Sequence, residues 1–402
     1  MTTADMLLLD AGDASASLVT TSAVRVAVSH RLEDVAGVWA ALAATVQSPG
    51  QDIGFIKLWI AAHEIREPEQ FFVAASDDYG PLALLPLHRR RRRGVRVLTW
   101  FPGPHVGCNA PLADGRRLAR MSAAERRNLW RSMLRGLKGA DVVYLKSIPK
   151  VEVDGVEIFA ELGQLIDADT LYRAQFASFE HADATQRNKS RRKHDRQQGD
   201  KLAALGSIAF EVLDNGPAAV SLMDEMFRQR AARFRQLDIP DPFATPEIRA
   251  FYDASVREGS GVAVKLHVLR LNGQAVAMRY NVVDGDRLFC LISSMSDDEA
   301  LRPGSPGKQC LLRVMQTVFA EGFSTFDMGE GLTDEKRHWC NVQIPVRNHY
   351  VAVTAPGAVA AAAHRGLTRT KAAIKTNPRL LAFARSLRGA ARNNRPVDGT
   401  IE

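Results

Sequence analysis

Residues 302–316 read RPGSPGKQCLLRVMQ. Two prolines and two glycines fall within the first six of these residues, and an apolar-periodic run follows at once. Pro-Gly pairs punctuate a chain, and the run from Lys308 onward has the spacing of one helix face. The stretch therefore reads as a tight loop delivering the chain to the N-terminus of an amphipathic helix. Such a terminus leaves backbone N–H groups unpaired and carries a partial positive charge, which together suit a phosphate. Gly304 and Gly307 are expected to let a ligand approach the backbone, with Lys308 as a mobile cation and Ser305 as a cap. The pattern is not a Walker loop, because its glycines are too closely spaced and Gln309 stands where Ser or Thr would hold magnesium.

Three strands precede the loop: VAVKLHVLRL, QAVAMRYNVV and DRLFCLISSM. Asn272-Gly273 and Asp284-Gly285 are hairpin signals between them. After the helix comes STFDMGEG as a strand, and HYVAVT (349–354) reads as a last one. Upstream, IAFEVL (208–213) is a strand, 217–237 and 245–259 are helices opened by Pro217 and Pro246, and Phe179–Leu205 reads as one long solvated helix. The first half shows a similar order. VRVAVS (24–29) is a strand, 32–46 and 55–64 are helices, and 71–100 is a meander. Then 122–137 is a helix with a Ser122/Glu125 capping box, and ADVVYLKSI (140–148) is a buried strand. The arginines of the run Arg89–Arg93 sit at the exposed end of a strand and its turn, where charges stay solvated.

The chain has 402 residues, more than one core usually fills, and a net charge of +8. The excess of base lies in Arg89–Arg93, in 185–201 and in the tail from His364 to Arg395. A nucleic-acid module would gather it on one face. No apolar run approaches the roughly 20 residues that span a bilayer. Residues 1–20 lack a basic signal-peptide start and are expected to be a disordered leader. Cys108, Cys290, Cys310 and Cys340 form no metal-binding or disulfide spacing, so they read as reduced thiols in a cytoplasmic protein without a metal. The tail segment LLAFARSLRGAA is basic and amphipathic, and weak contact with a membrane surface is one reading of it. Residues 395–402 read as unstructured.

A meander, a Gly-containing turn into a helix, then a strand resembles the coenzyme-binding core of the GNAT acyltransferases. More narrowly, 302–340 is similar to the FemAB/CelD-type acetyltransferases through Ser305, Pro306, Gly307, Asp327, Gly331, Lys336 and Trp339. The first half adds Trp59, Gly80, Pro86, Leu87 and the N-A-P-L of 109–112. The chain departs from that pattern where Glu335 replaces a tyrosine and Glu330 an arginine. The resemblance implies an α/β (α+β) protein of two tandem GNAT-like domains, with mixed, mostly antiparallel sheets flanked by helices. These are a degenerate domain at 21–170 and an acyltransferase domain at 171–355, followed by a basic tail at 356–402.

The resemblance also implies acyl transfer from acetyl-CoA or another acyl-CoA to an amine or hydroxyl, on a small-molecule or saccharide acceptor, in polysaccharide (cellulose-type) or envelope metabolism. The coenzyme diphosphate would rest on Ser305, Gly307, Lys308 and Gln309. An amide within Ile292, Ser293, Ser294 and Met295 would meet the developing oxyanion. Asp327 or, preferably, Glu330 would relay the nucleophile's proton, and Lys336 would bind an anionic group. Two other readings stand beside this one. One is a FemAB-like aminoacyl transferase drawing on aminoacyl-tRNA; the other is a non-catalytic binder of anionic ligands, marked by a steep salt dependence.

Overall fold

The computed structural model describes residues 24–42, 48–135 and 137–376. The expected leader, the segment LLAFARSLRGAA and residues 395–402 lie outside the described residues, as do 43–46 of the helix expected over 32–46.

The first half runs β1 (Arg25–Ser29), α1 (Ala36–Leu42), α2 (Ile53–Ala62), β2 (Gln70–Asp77), β3 (Gly80–Arg92), β4 (Val95–Trp100) and β5 (Leu112–Ala113). It continues through α3 (Gly115–Arg120), α4 (Ala123–Arg135), β6 (Val142–Pro149) and a small hairpin of β7 (Glu152–Val153) and β8 (Val156–Glu157). The second half runs β9 (Gln164–Ala174), α5 (Phe179–Gln186), α6 (Lys189–Ala203), β10 (Ile208–Leu213), α7 (Pro217–Leu237) and α8 (Pro246–Ser255). Then follow β11 (Val264–Leu271), β12 (Gln274–Asp284), β13 (Arg287–Met295), α9 (Pro306–Ala320), β14 (Thr325–Glu330), α10 (Asp334–Trp339), β15 (Val342–Ala352) and α11 (Ala355–Thr376).

All strands but β7 and β8 join one sheet, in the order β1-β2-β3-β4-β6-β15-β9-β14-β13-β12-β11-β10, with β5 beside β3. The outer arms repeat each other. In each, three antiparallel pairings are followed by one short parallel pairing, β4 with β6 and β13 with β14. This is a mixed α/β sheet of two halves with the same strand order. β15 and β9, antiparallel to each other, bridge them. β9 itself spans residue 170.

Several expectations need correction. The helix expected over Phe179–Leu205 is two helices, because Asn188 caps α6 by accepting from Arg191 N at 2.8 Å. Nor is its basic face wholly solvated. Arg187 is buried, paired with Asp183 and Asp195, and its guanidinium lies 4.7 Å from the Trp339 ring centre. Trp339 is thus a packing residue. The strand expected at 349–354 begins at Val342, and α11 docks beyond it with Ala361 in a cluster with Val142, Ile166 and Tyr350. The capping box holds, with Glu125 N donating to Ser122 Oγ and Ser122 N to Glu125 Oε2. At the Asn272-Gly273 turn both φ angles are positive (51° and 82°), as a two-residue hairpin demands.

The cores follow from the layers. One apolar cluster joins α1 and α2 to α7 and α8 across the halves, with Trp59 and Phe251 ring centres 5.1 Å apart. A second lies between the first arm and α4, and a third between the second arm and α9.

Candidate active site

β13 and β14 pair in parallel only from Arg287/Thr325 to Phe289/Asp327, then diverge. β13 cannot follow β14 because it remains tied to β12 on its other edge, through a bulge. Asn281 pairs with Cys290 and Tyr280 with Ile292, so Leu291 is the extra residue. A bulge kinks its strand and frees one residue from the ladder. The opening between the strands is a cleft of about 370 Å³, floored by Phe289–Leu291 and Asp327–Glu330 and roofed by His105–Gly107 of the first half and Pro242–Phe243.

Glu330 ends β14 in this cleft. Burial raises its carboxyl above the usual range, against a lowering by Lys146, whose Nζ is 3.8 Å from Oε2. Neither Glu330 Oε1 nor the neighbouring Ser147 hydroxyl makes a well-aligned hydrogen bond among the described residues. Ser147 is held at φ +60°, with its amide donating to Asn348 Oδ1 and its carbonyl accepting from Asn109 N. Such strain persists only where the surroundings over-determine it; here it turns β6 so that Lys146 meets Glu330. His105 is held neutral, its pKa lowered to about 4 chiefly by burial and further by His63 and Lys146. A buried carboxylate of raised pKa beside a cation is the chemistry of a general base.

The other expected residues are placed differently. Asp327 reaches the cleft wall, but its carboxylate is taken by Arg173 Nε (2.7 Å) and Gly329 N (2.8 Å). Lys336 is buried, burial lowers its pKa, and its ammonium donates to the carbonyls of Gly329 and Glu330. It fixes the end of β14 and faces no open anion site. Glu335, which departs from the family pattern, pairs with buried Arg279 at 2.8 Å.

On β13, Ile292 is buried in the core that joins the halves, Ser294 donates to Gln229 Oε1, and Ser293 gives its carbonyl to Arg230. The residue released from the ladder is Leu291, just before the expected segment. Sequence reasoning missed Leu291, His105, Lys146 and Ser147. Only Lys146 left a trace, as a charge interrupting the apolar strand VVYLKSI.

At the start of α9, Ser305 sits at φ +46° and does not cap with its hydroxyl, which accepts from Gln198 Nε2 at 2.8 Å. Its carbonyl instead takes both Lys308 N (3.0 Å) and Gln309 N (3.1 Å). Pro306 has no N–H, so the Gly307 amide is the first-turn donor without a protein acceptor among the described residues. Gln309 points away, donating to the Asp195 carbonyl. Gly304 serves packing and not ligand approach, since a Cβ there would stand 2.8 Å from Leu202 Cβ. Two cations remain here, Lys308 and Arg191, which share Asp334 at 3.2 and 3.4 Å; Lys189, Lys193 and Arg196 are exposed on the face of α6 turned away from α9. One open amide with Lys308 and Arg191 fits a phosphate group.

Comparison with known proteins gives one family match. Residues 189–337 match an acetyltransferase (GNAT) domain. The bulge and the start of α9 lie within the matched residues, and the cleft is lined by them together with His105–Gly107. Among solved structures, FemX shares the fold at a TM-score of 0.55 and 10% identity, over 81% of this chain and 97% of that one. L-PGS from Bacillus licheniformis gives 0.48 and 12%, over 78% and 90%. A tandem GNAT protein from the clavulanic acid biosynthesis pathway gives 0.42 and 10%, over 82% and 98%. No curated protein matches the sequence. Among the described residues, no helix is long and apolar enough to cross a membrane, and no cluster of His, Cys, Asp and Glu is placed to hold a metal.

Proposed function

We propose that this protein transfers an acyl group from acyl-CoA to an amine or hydroxyl acceptor, with 171–355 as the catalytic half and 21–170 shaping the acceptor side. The observation that carries this reading is the opening between β13 and β14, with the bulge at Leu291 on one wall and Glu330 on the other. The thioester supplies an activated acyl carbon, whose C–S bond breaks as the new C–N or C–O bond forms, and the coenzyme leaves as a thiolate that takes a proton from water. Glu330 accepts the proton of the attacking amine or hydroxyl, and burial tunes it for that task. The amide freed at the bulge donates to the oxygen on which negative charge develops. Gly307 N, Lys308 and Arg191 hold the diphosphate, while Lys336 positions Glu330 through its carbonyl. Asp327 is a structural partner of Arg173 and not the base.

Titration calorimetry with acetyl-CoA tests this. Micromolar binding is expected, with loss of at least about tenfold in Gly307→Glu, which sets a carboxylate against the phosphate. Binding undiminished in that variant refutes the seat. The exposed bases of α6 also support a second reading, an aminoacyl donor carried on tRNA. Protection of charged tRNA without any response to acetyl-CoA would select it.

A further inference from the structure

The strand register puts Arg90 and Arg92, at the end of β3, on the sheet face that carries Lys146 and leads to Glu330. Residues opposite one another on neighbouring strands share a face. Arg92 pairs with Val95, Arg90 with Val97 and His88 with Thr99 on β4, and Val97 in turn pairs with Val142 on β6. Alternation along β6 then puts Tyr144 and Lys146 on the same face as Val142. Side-chain neighbours agree. Val95, Val97, Val142 and Tyr144 form one apolar cluster, Arg92 acts on Tyr144, and Arg90 acts on His63, His88 and His105. The alternate arginines face the other way: Arg89 lies over Phe71, and Arg91 is opposite Arg96.

The run of arginines is therefore split between two faces, and only Arg90 and Arg92 belong to the face that leads to the cleft. α11 covers Val142 on one side of this strip, and α2 places His63 on the other. Both arginines are exposed, and among the described residues neither has a carboxylate partner. Other arginines of this arm are paired, Arg96 with Asp141 and Arg117 with Asp77. At ~3.3 Å per residue and ~4.8 Å between strands, Arg90 stands about 16 Å from Lys146, which touches Glu330.

We propose that Arg90 and Arg92 bind the anionic group, a phosphate or a carboxylate, of an extended acceptor whose nucleophile lies at Glu330. The inference rests on the acyl-transfer reading for what happens at Glu330, but the anion seat is measurable without it. Two unpaired guanidiniums on one strand face a doubly charged phosphate well. Lys146 and His105 stand at the cleft end of this face.

The test uses the full chain and two probes, aminododecyl phosphate and the matched aminododecanol. Calorimetry without any thioester is expected to show the phosphate binding at least tenfold more tightly than the alcohol. That preference is expected to fall to less than threefold in Arg90→Glu/Arg92→Glu, while Arg91→Glu/Arg93→Glu, on the same hairpin, keeps it. Acetyl-CoA affinity, measured separately, is expected to stay unchanged in both double variants. Its absence from the wild type would sink the acyl-transfer reading and leave the anion seat standing. Equal binding of the two probes overturns the proposal, as does a preference indifferent to Arg90 and Arg92. So does a wild type that ignores both probes yet binds a DNA duplex through these arginines.

Discussion

The two parallel strand pairs, β4 with β6 and β13 with β14, are the same device with opposite outcomes. Each ends a three-strand meander, and each parallel ladder is short, from Val97/Val142 to Leu98/Val143 in the first half and from Arg287/Thr325 to Phe289/Asp327 in the second. In the first half the gap is filled. Trp100 is buried at the end of β4 and its indole N–H donates to the Lys146 carbonyl at 3.0 Å. Its ladder with β3 runs without a bulge. In the second half the bulge at Leu291 bends β13 away, a cleft of about 370 Å³ opens, and a proline-opened helix follows β13. A duplicated frame becomes a site or a support according to what occupies one wedge.

Breaking the open wedge should have the largest effect. Glu330→Gln is expected to lower kcat/KM for acyl transfer by about 10²–10⁴-fold while leaving acetyl-CoA affinity in place. Because burial raises the carboxyl's pKa, wild-type kcat/KM should rise with pH through an inflection above 4.5, the ordinary glutamate value. Deprotonation creates the base, so activity grows as pH passes the raised pKa; the glutamine variant should show no such limb. An unchanged pH profile in that variant would remove Glu330 from the chemistry.

Emptying the filled wedge sharpens the contrast. Trp100→Ala is expected to cost about 3–5 kcal/mol of stability, read by denaturant unfolding, yet calorimetry should still find one coenzyme per chain. A second coenzyme site in that variant would show that Trp100 alone separates the halves. Asp327→Asn should cost about 3 kcal/mol, because it strips the charge partner from buried Arg173. A large rate loss with unchanged stability would return Asp327 to the catalytic set. The smallest effect belongs to Gly304→Ala, about 1–2 kcal/mol of melting stability, from the crowding of its Cβ against Leu202. Coenzyme affinity should hold in that variant, unlike in Gly307→Glu.

Much of the local structure was legible in the sequence. Apolar alternation gave β11–β13, Asn272-Gly273 gave their first turn, and Pro217, Pro246 and Pro306 each stand at the first turn of a helix. The two helices between 179 and 205 were not separated, because Asn188 looks like any polar residue until its side chain is seen accepting from Arg191 N. Lys308 and Gln309 looked like donors to a ligand, since only the left-handed turn at Ser305 shows that one carbonyl takes both amides. The sequence favoured Glu330 over Asp327, three residues before it on one strand, only because Glu330 replaces a cation of the resembled pattern where the strand opens. Arg173, brought in from β9, is what divides them.

By itself the sequence determined the order of elements, the acid-bearing strand after a Pro-Gly turn, and the excess of base, because periodicity and turn chemistry act over a few neighbours. The tertiary structure alone decided which wedge is open, which carboxylate is free and which arginines share a face with it. Those outcomes depend on partners 150 or more residues apart, such as Arg173 with Asp327 and Lys146 with Glu330. Burial and pairing of a charge are properties of the packed sheet, and no stretch of chain carries them alone.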